Sequence, residues 1–228
     1  MKNTSVLEQR RRQSDTIRRM VITAMLSAIT ALLTFTPIGM ITLPPPLPAA
    51  TTVHIPVILA ALVEGPLVGL AVGLVFGLCS LIRAWETGMI GLTLFFRNPL
   101  VSVLPRLLVP LVAWAIYALW KRFVKQNAVT DKLGACVASL LGAAANTVCC
   151  LGTIALIYGG QLTELVNNMI FAGSAEAGYL DNAGAWLVAA VGVPNGIAEA
   201  IVAAVLIPVV KVAVDAVVRR AKPREKKL

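Results

Sequence analysis

Between residues 17 and 214 the chain is a succession of apolar runs, several of them about twenty residues long and almost free of charge. A run of that length spans the hydrocarbon core of a bilayer as a helix, at about 1.5 Å per residue. Nothing else in the sequence restricts the fold as strongly. Six such stretches are predicted, over 17–37, 53–63, 66–82, 99–120, 133–158 and 185–214. The second is short for a full crossing, so it is expected to be tilted, partly buried or extended by the loop before it. Composition excludes the alternatives. With 58% hydrophobic and 14% charged residues, there are too few charges to clothe a soluble enzyme of this size and too much apolar side chain for a disordered chain. The expected fold class is an all-α integral membrane protein with six transmembrane helices.

The basic residues give the orientation. All but Arg83, Arg97 and Arg106 fall in three blocks, at 2–19, 121–132 and 211–227. Four predicted spans separate the first two blocks and two separate the last two, so all three face one side. The positive-inside rule makes that side the cytoplasm. Residues 1–16 are read as a cytoplasmic basic arm, 17–216 as the membrane domain and 217–228 as a basic cytoplasmic tail. Anionic headgroups account for these flanks, and nucleic-acid binding is not expected. The first apolar run follows a charged stretch and is read as a span, not as a cleaved leader. The outer loops are expected at 38–52, with Pro44-Pro45-Pro46 and Pro48, at 83–98, and at 159–183, where polarity and Gly159-Gly160 argue against another span.

Chemistry is then sought among polar groups inside the spans, because each costs several kcal/mol there, about 2.5–3.5 for Arg or Asp. Arg106, Asn146, Asn195 and Glu199 stand out. Asn195 and Glu199 are four apart and share a helix face. All four lie roughly 12–22 Å below the outer surface by helical rise. One arrangement is a pocket in which Arg106 meets a carboxylate or polar oxygen and the asparagines bond amides or hydroxyls. The other is a structural Arg106–Glu199 pair with asparagines joining helices. At the outer boundary His54, Trp85, Arg97 and Asn98 are further candidates for solute contact, against interfacial hydrogen bonding for His54 and an aromatic belt for Trp85. Pro194, just before Asn195, should loosen its helix.

Gly65, Gly69, Gly73 and Gly77 recur every four residues and should let a neighbouring helix approach. Ala24, Ala28 and Ala31 form a second small-residue face, suited either to packing within the bundle or to a partner. Cys79, Cys136, Cys149 and Cys150 sit in apolar stretches without zinc-site spacing, and no metal or other cofactor is expected. The sequence contains no HExxH, GxSxG or GxxxxGK[ST], so neither an enzyme nor a self-contained ATPase is expected.

Four stretches carry a family resemblance. They are Arg18–Ala28 with Ala24-x-x-x-Ala28; Thr51-Thr52-Val53-His54-Ile55-Pro56-Val57, running on to Glu64-Gly65-Pro66 and Phe76-Gly77; Asn98–Arg106; and Pro194-Asn195-Gly196-Ile197-Ala198-Glu199-Ala200. Together they resemble the substrate-binding S component of an energy-coupling factor (ECF) vitamin transporter. The HIPV and VSxLPR stretches are most similar to the pantothenate-type branch, while riboflavin- and folate-type branches share the fold. The resemblance implies a multi-pass protein of the bacterial plasma membrane with a solute site near the extracellular side under the first outer loop. It also implies partnership with a transmembrane coupling subunit, docking at Ala24, Ala28 and Ala31, and with two cytosolic ATPases. A stand-alone carrier coupled to protons through Glu199 is the other functional class, and the absence of evident inverted repeats counts against it.

Overall fold

The computed structural model describes residues 2–41, 50–86, 91–171 and 182–221. Helix α1 spans Lys2–Phe35, so the arm and the first crossing are one continuous helix. A short 3-10 turn, Pro37–Gly39, leads to strands β1 (Met40–Ile41) and β2 (Ala50–Thr51), paired antiparallel with Met40 opposite Thr51. Then follow α2 (His54–Glu64), α3 (Pro66–Glu86), a 3-10 segment Gly91–Arg97, α4 (Pro99–Ser102) and α5 (Leu104–Phe123). The chain closes with α6 (Ala128–Phe171), α7 (Ala183–Trp186), a π-helical segment Leu187–Gly192 and α8 (Val193–Ala221). Among the described residues five stretches are long and apolar enough to cross a membrane: Arg12–Phe35, Pro66–Glu86, Pro99–Phe123, Ala128–Asn168 and Ala183–Ala216. The shorter apolar helix His54–Glu64 accompanies them. The expected proline run, residues 172–181 of the expected third outer loop and the tail beyond Ala221 lie outside the described residues.

The brevity of α2 follows from its position. His54, Pro56 and every residue from Val57 to Leu62 are buried, and α2 packs against α1, α3, α5, α6 and α8. A helix that is apolar all round belongs inside a bundle. Its C-terminus turns sharply at Gly65, whose φ of 96° suits glycine, and Pro66 opens α3 where no backbone donor is needed. Gly65 therefore serves the turn, and the close packing falls to the other three glycines of the strip. A Cβ on Gly69 would lie 2.8 Å from Pro110 Cβ, on Gly73 2.6 Å from the Arg106 carbonyl oxygen, and on Gly77 2.9 Å from Val103 Cα. These contacts run α3 antiparallel along the start of α5, and the register fixes where Arg106 stands.

Two expected loops prove partly helical. Residues 83–86 remain in α3, which carries Arg83 and Trp85 on its last turn. Residues 159–171 continue α6 beyond a break at Tyr158 (φ −118°, ψ 21°). The glycine pair does not end the helix because Leu162 and Val166, one turn apart, are buried with Ile154, Phe95, Trp186 and Leu187. Burying such side chains is worth about 1.5–3 kcal/mol each, against about 1 kcal/mol per helical glycine.

One end of the bundle gathers the charges. Arg18 and Arg19 of α1 pair with Glu64 at 3.2 and 3.7 Å. At the same end Lys211 of α8 bridges Asp131 of α6 at 3.0 Å and Asp215 at 2.6 Å. Tyr117 of α5 donates to Asp131, and Lys121 stands 3.8 Å from it. With its ammonium buried between two carboxylates, Lys211 locks α5, α6 and α8 together. Lys211→Met is expected to lower stability by about 1.5–3 kcal/mol, the worth of hydrogen bonds to charged groups. The thermal midpoint in detergent checks this, and an unchanged midpoint would show the cluster to be ornamental.

Candidate solute site

At the opposite end the helices part around a cavity of about 370 Å³. Its walls combine Thr34 of α1, Thr51 of β2, Phe76, Ser80 and Arg83 of α3, Phe96, Arg106 of α5, Asn146, Thr147 and Cys150 of α6, Val191 of the π segment, and Asn195 and Glu199 of α8. Three walls draw on side chains at a spacing of three or four, which puts them on one face. They are Phe76, Ser80 and Arg83; Asn146 and Cys150; and Val191, Asn195 and Glu199. The π segment ends at Gly192, two residues before Pro194, which has no backbone N–H to give; π-bulges often sit at functional sites.

Arg106 is buried. Its Nη1 donates to the Val101 carbonyl at 2.9 Å and lies 3.7 Å from Cys150 Sγ. Its guanidinium carbon stands 5.0 Å from the Phe96 ring centre and 5.3 Å from that of Phe76, two cation–π contacts that hold the plane of the group. Glu199 is also buried, and its Oε1 accepts from the Thr51 backbone N–H at 3.0 Å and from Thr51 Oγ1 at 2.6 Å. Among the described residues Arg106 makes no ion pair. The structural Arg106–Glu199 pair is thus not formed, and each charge is held separately on the wall of the same space. Asn146 Oδ1, Asn195 Oδ1 and Arg106 Nε are buried without a hydrogen-bond partner among the described residues. Such orphan groups are unusual in a folded chain and call for an explanation.

Arg106, Asn146, Asn195 and Glu199 are therefore brought together. The other four expected solute ligands lie outside the lining. His54 is fully buried at the start of α2, and neither ring nitrogen has a partner among the described residues. Trp85 is exposed on the end of α3, where Arg97 stacks over it at 5.0 Å. Arg97 Nε also reaches the Ala84 carbonyl at 3.4 Å. Asn98 caps α4 by accepting from Leu100 N at 2.9 Å, and its amide donates to Tyr158 OH at 3.1 Å, at the break in α6. Sequence reasoning passed over Thr51, Ser80, Arg83, Thr147 and Cys150. Arg83, expected at the start of the outer loop 83–98, stands on the last turn of α3 and donates to the Thr34 carbonyl from the cavity wall. Its spacing from Phe76 and Ser80 was the available signal.

On α1, Ala24 and Ala28 are exposed and Ala31 is half-buried. They are flanked by exposed Val21, Met25, Ile29 and Leu32. The first two are not used up by packing within the bundle.

The cavity offers a guanidinium, a carboxylate and two side-chain amides on otherwise mostly apolar walls, between helices long enough to cross a membrane. Comparison with curated proteins gives no match. The sequence profile of the substrate-specific component of ECF transporters matches residues 18–211, which takes in every wall of the cavity. The chain belongs to the family of ECF transporter substrate-specific components, multi-pass membrane subunits of a transporter and not an enzyme family.

Proposed function

We propose that this subunit captures pantothenate from the extracellular side of a bacterial plasma membrane for an ATP-driven ECF uptake system. The observation that carries the reading is that Arg106, Asn146, Asn195 and Glu199 border one cavity while the two charges remain unpaired with each other. Pantothenate brings a carboxylate, an amide and two hydroxyls, a set that matches a guanidinium, two amides and a carboxylate. The volume of about 370 Å³ lies within the roughly 300–1,000 Å³ range of small-molecule pockets and has room for a vitamin of this size. The charged end of the bundle would face the cytoplasm by the positive-inside rule, which turns the cavity outward. The exposed Ala24–Ala28 face would receive the transmembrane coupling subunit, which two cytosolic ATPases drive.

The test is a thermal-shift or native mass-spectrometry screen of the purified subunit against a panel of B vitamins, without ATP. Pantothenate at 100 times its Kd should stabilise the folded state by about 2.7 kcal/mol. Selective stabilisation by another vitamin would replace pantothenate. Failure to co-purify with any ATPase-bearing membrane partner would count against the coupled mechanism.

A further inference from the structure

Arg106 and Glu199 stand on different helices, and both are turned to fixed backbone partners instead of to each other. Arg106 is held by the Val101 carbonyl, and Glu199 Oε1 is taken by Thr51. With Oε1 engaged, Oε2 is the oxygen left for an occupant. A buried cation and a buried anion on one cavity wall are costly apart unless something polar lies between them. The orphan amide oxygens of Asn146 and Asn195 add two acceptors in want of donors, and Arg106 Nε adds one donor in want of an acceptor. Because these groups come from α5, α6 and α8, no pattern within one helix explains them.

We infer that the site selects a dipolar organic acid and binds it in a single orientation. The acidic group lies at Arg106, and the N–H and O–H donors lie toward Glu199 and the asparagine oxygens. The class is a hydroxylated or amide-bearing acid long enough to reach both charges. The reversed pose would set the solute's carboxylate against Glu199 and leave Arg106 facing donors, a like-charge arrangement that interfaces avoid. A solute cation or a neutral ring would leave Arg106 uncompensated. This inference rests on the reading of the cavity as the solute site and adds direction and class to it.

The test is a cycle of variants against analogues. Pantothenate, its carboxamide, and an N-acyl-β-alanine of equal length without hydroxyls are titrated against the parent subunit, Arg106→Gln and Glu199→Gln. Each single change, in protein or solute, should weaken binding by about 10- to 100-fold, as expected for a buried polar group left without its partner. The Arg106→Gln loss should nearly vanish for the carboxamide, and the Glu199→Gln loss for the dehydroxy acid, while crossed combinations suffer both losses. A Glu199→Gln loss that vanishes for the carboxamide would reverse the orientation, and losses that simply add throughout would remove it. If the vitamin screen returns a different acid, the pantothenate assignment falls and the same cycle is run with that acid and its amide. If only cationic or neutral solutes bind, the inference is overturned while solute capture stands. The thermal midpoint of each solute-free variant separates lost contacts from lost fold.

Discussion

Replacing Arg106 by alanine is expected to weaken solute binding by about 30- to 4,000-fold, the equivalent of about 2–5 kcal/mol for truncating one member of a buried charged contact. The same variant should keep most of its solute-free stability. The reason lies in the way the two charges are held. Were Arg106 the structural partner of Glu199, its loss would leave a buried carboxylate uncompensated and destabilise the fold by about 3–5 kcal/mol. Here Glu199 keeps both bonds from Thr51, and Arg106 gives up the Val101 carbonyl, the Cys150 sulfur and its contacts with Phe76 and Phe96. Affinity and stability should therefore part company. Arg106→Lys should fall between parent and alanine, because an ammonium keeps the charge but not the planar group seated against two rings. Calorimetric titration and the thermal midpoint of the same samples check both halves. Unchanged affinity would remove Arg106 from the site, whereas a collapse of the solute-free midpoint would restore a structural role.

What could be seen in the sequence was whatever is expensive regardless of tertiary detail. A guanidinium, two amides and a carboxylate within apolar helices have few explanations, and Arg106, Asn146, Asn195 and Glu199 do border one cavity. Spans were legible for the same reason, since hydropathy acts on length and composition alone. Membership of the ECF substrate-specific family was also legible, through stretches that keep order over residues 18–211. The rest depended on contacts between residues far apart in the chain. Thr51 holds Glu199 across 148 positions, and no local pattern announces that bond. Arg83 lies where an apolar run stops, and whether such a turn frays or stays helical is decided by what packs on it. Residues 159–171 looked like a loop from Gly159-Gly160, yet Leu162 and Val166 found a second core. Spacing along one helix fixes a face, not the gap to the next helix, so the separation of Arg106 from Glu199 was beyond any periodicity argument.

The glycine strip connects that packing to the site, and Gly73→Ala should expose the link. The added Cβ would stand 2.6 Å from the Arg106 carbonyl oxygen and 3.3 Å from Pro110 Cγ. The nearer atom is α5 backbone, which cannot rotate aside as a side-chain tip would, so α3 and α5 must separate. Overpacking of this kind costs about 1–3 kcal/mol. Part of the strain should reach the solute, because the atom displaced belongs to the residue proposed to hold its acid. We expect a lower thermal midpoint and about a tenfold or greater loss of affinity, tenfold being about 1.4 kcal/mol. Gly152→Ala on α6 is the matched control. A Cβ there meets nothing within 4 Å, so the change should be neutral or should gain up to about 1 kcal/mol from helix propensity. Gly73→Leu should exceed Gly73→Ala in both measurements, since a longer side chain pushes further against the same backbone. If Gly73→Ala matches the parent in midpoint and in Kd, the α3–α5 contact does not set the position of Arg106. The guanidinium would then owe its place to Phe76, Phe96, the Val101 carbonyl and the Cys150 sulfur.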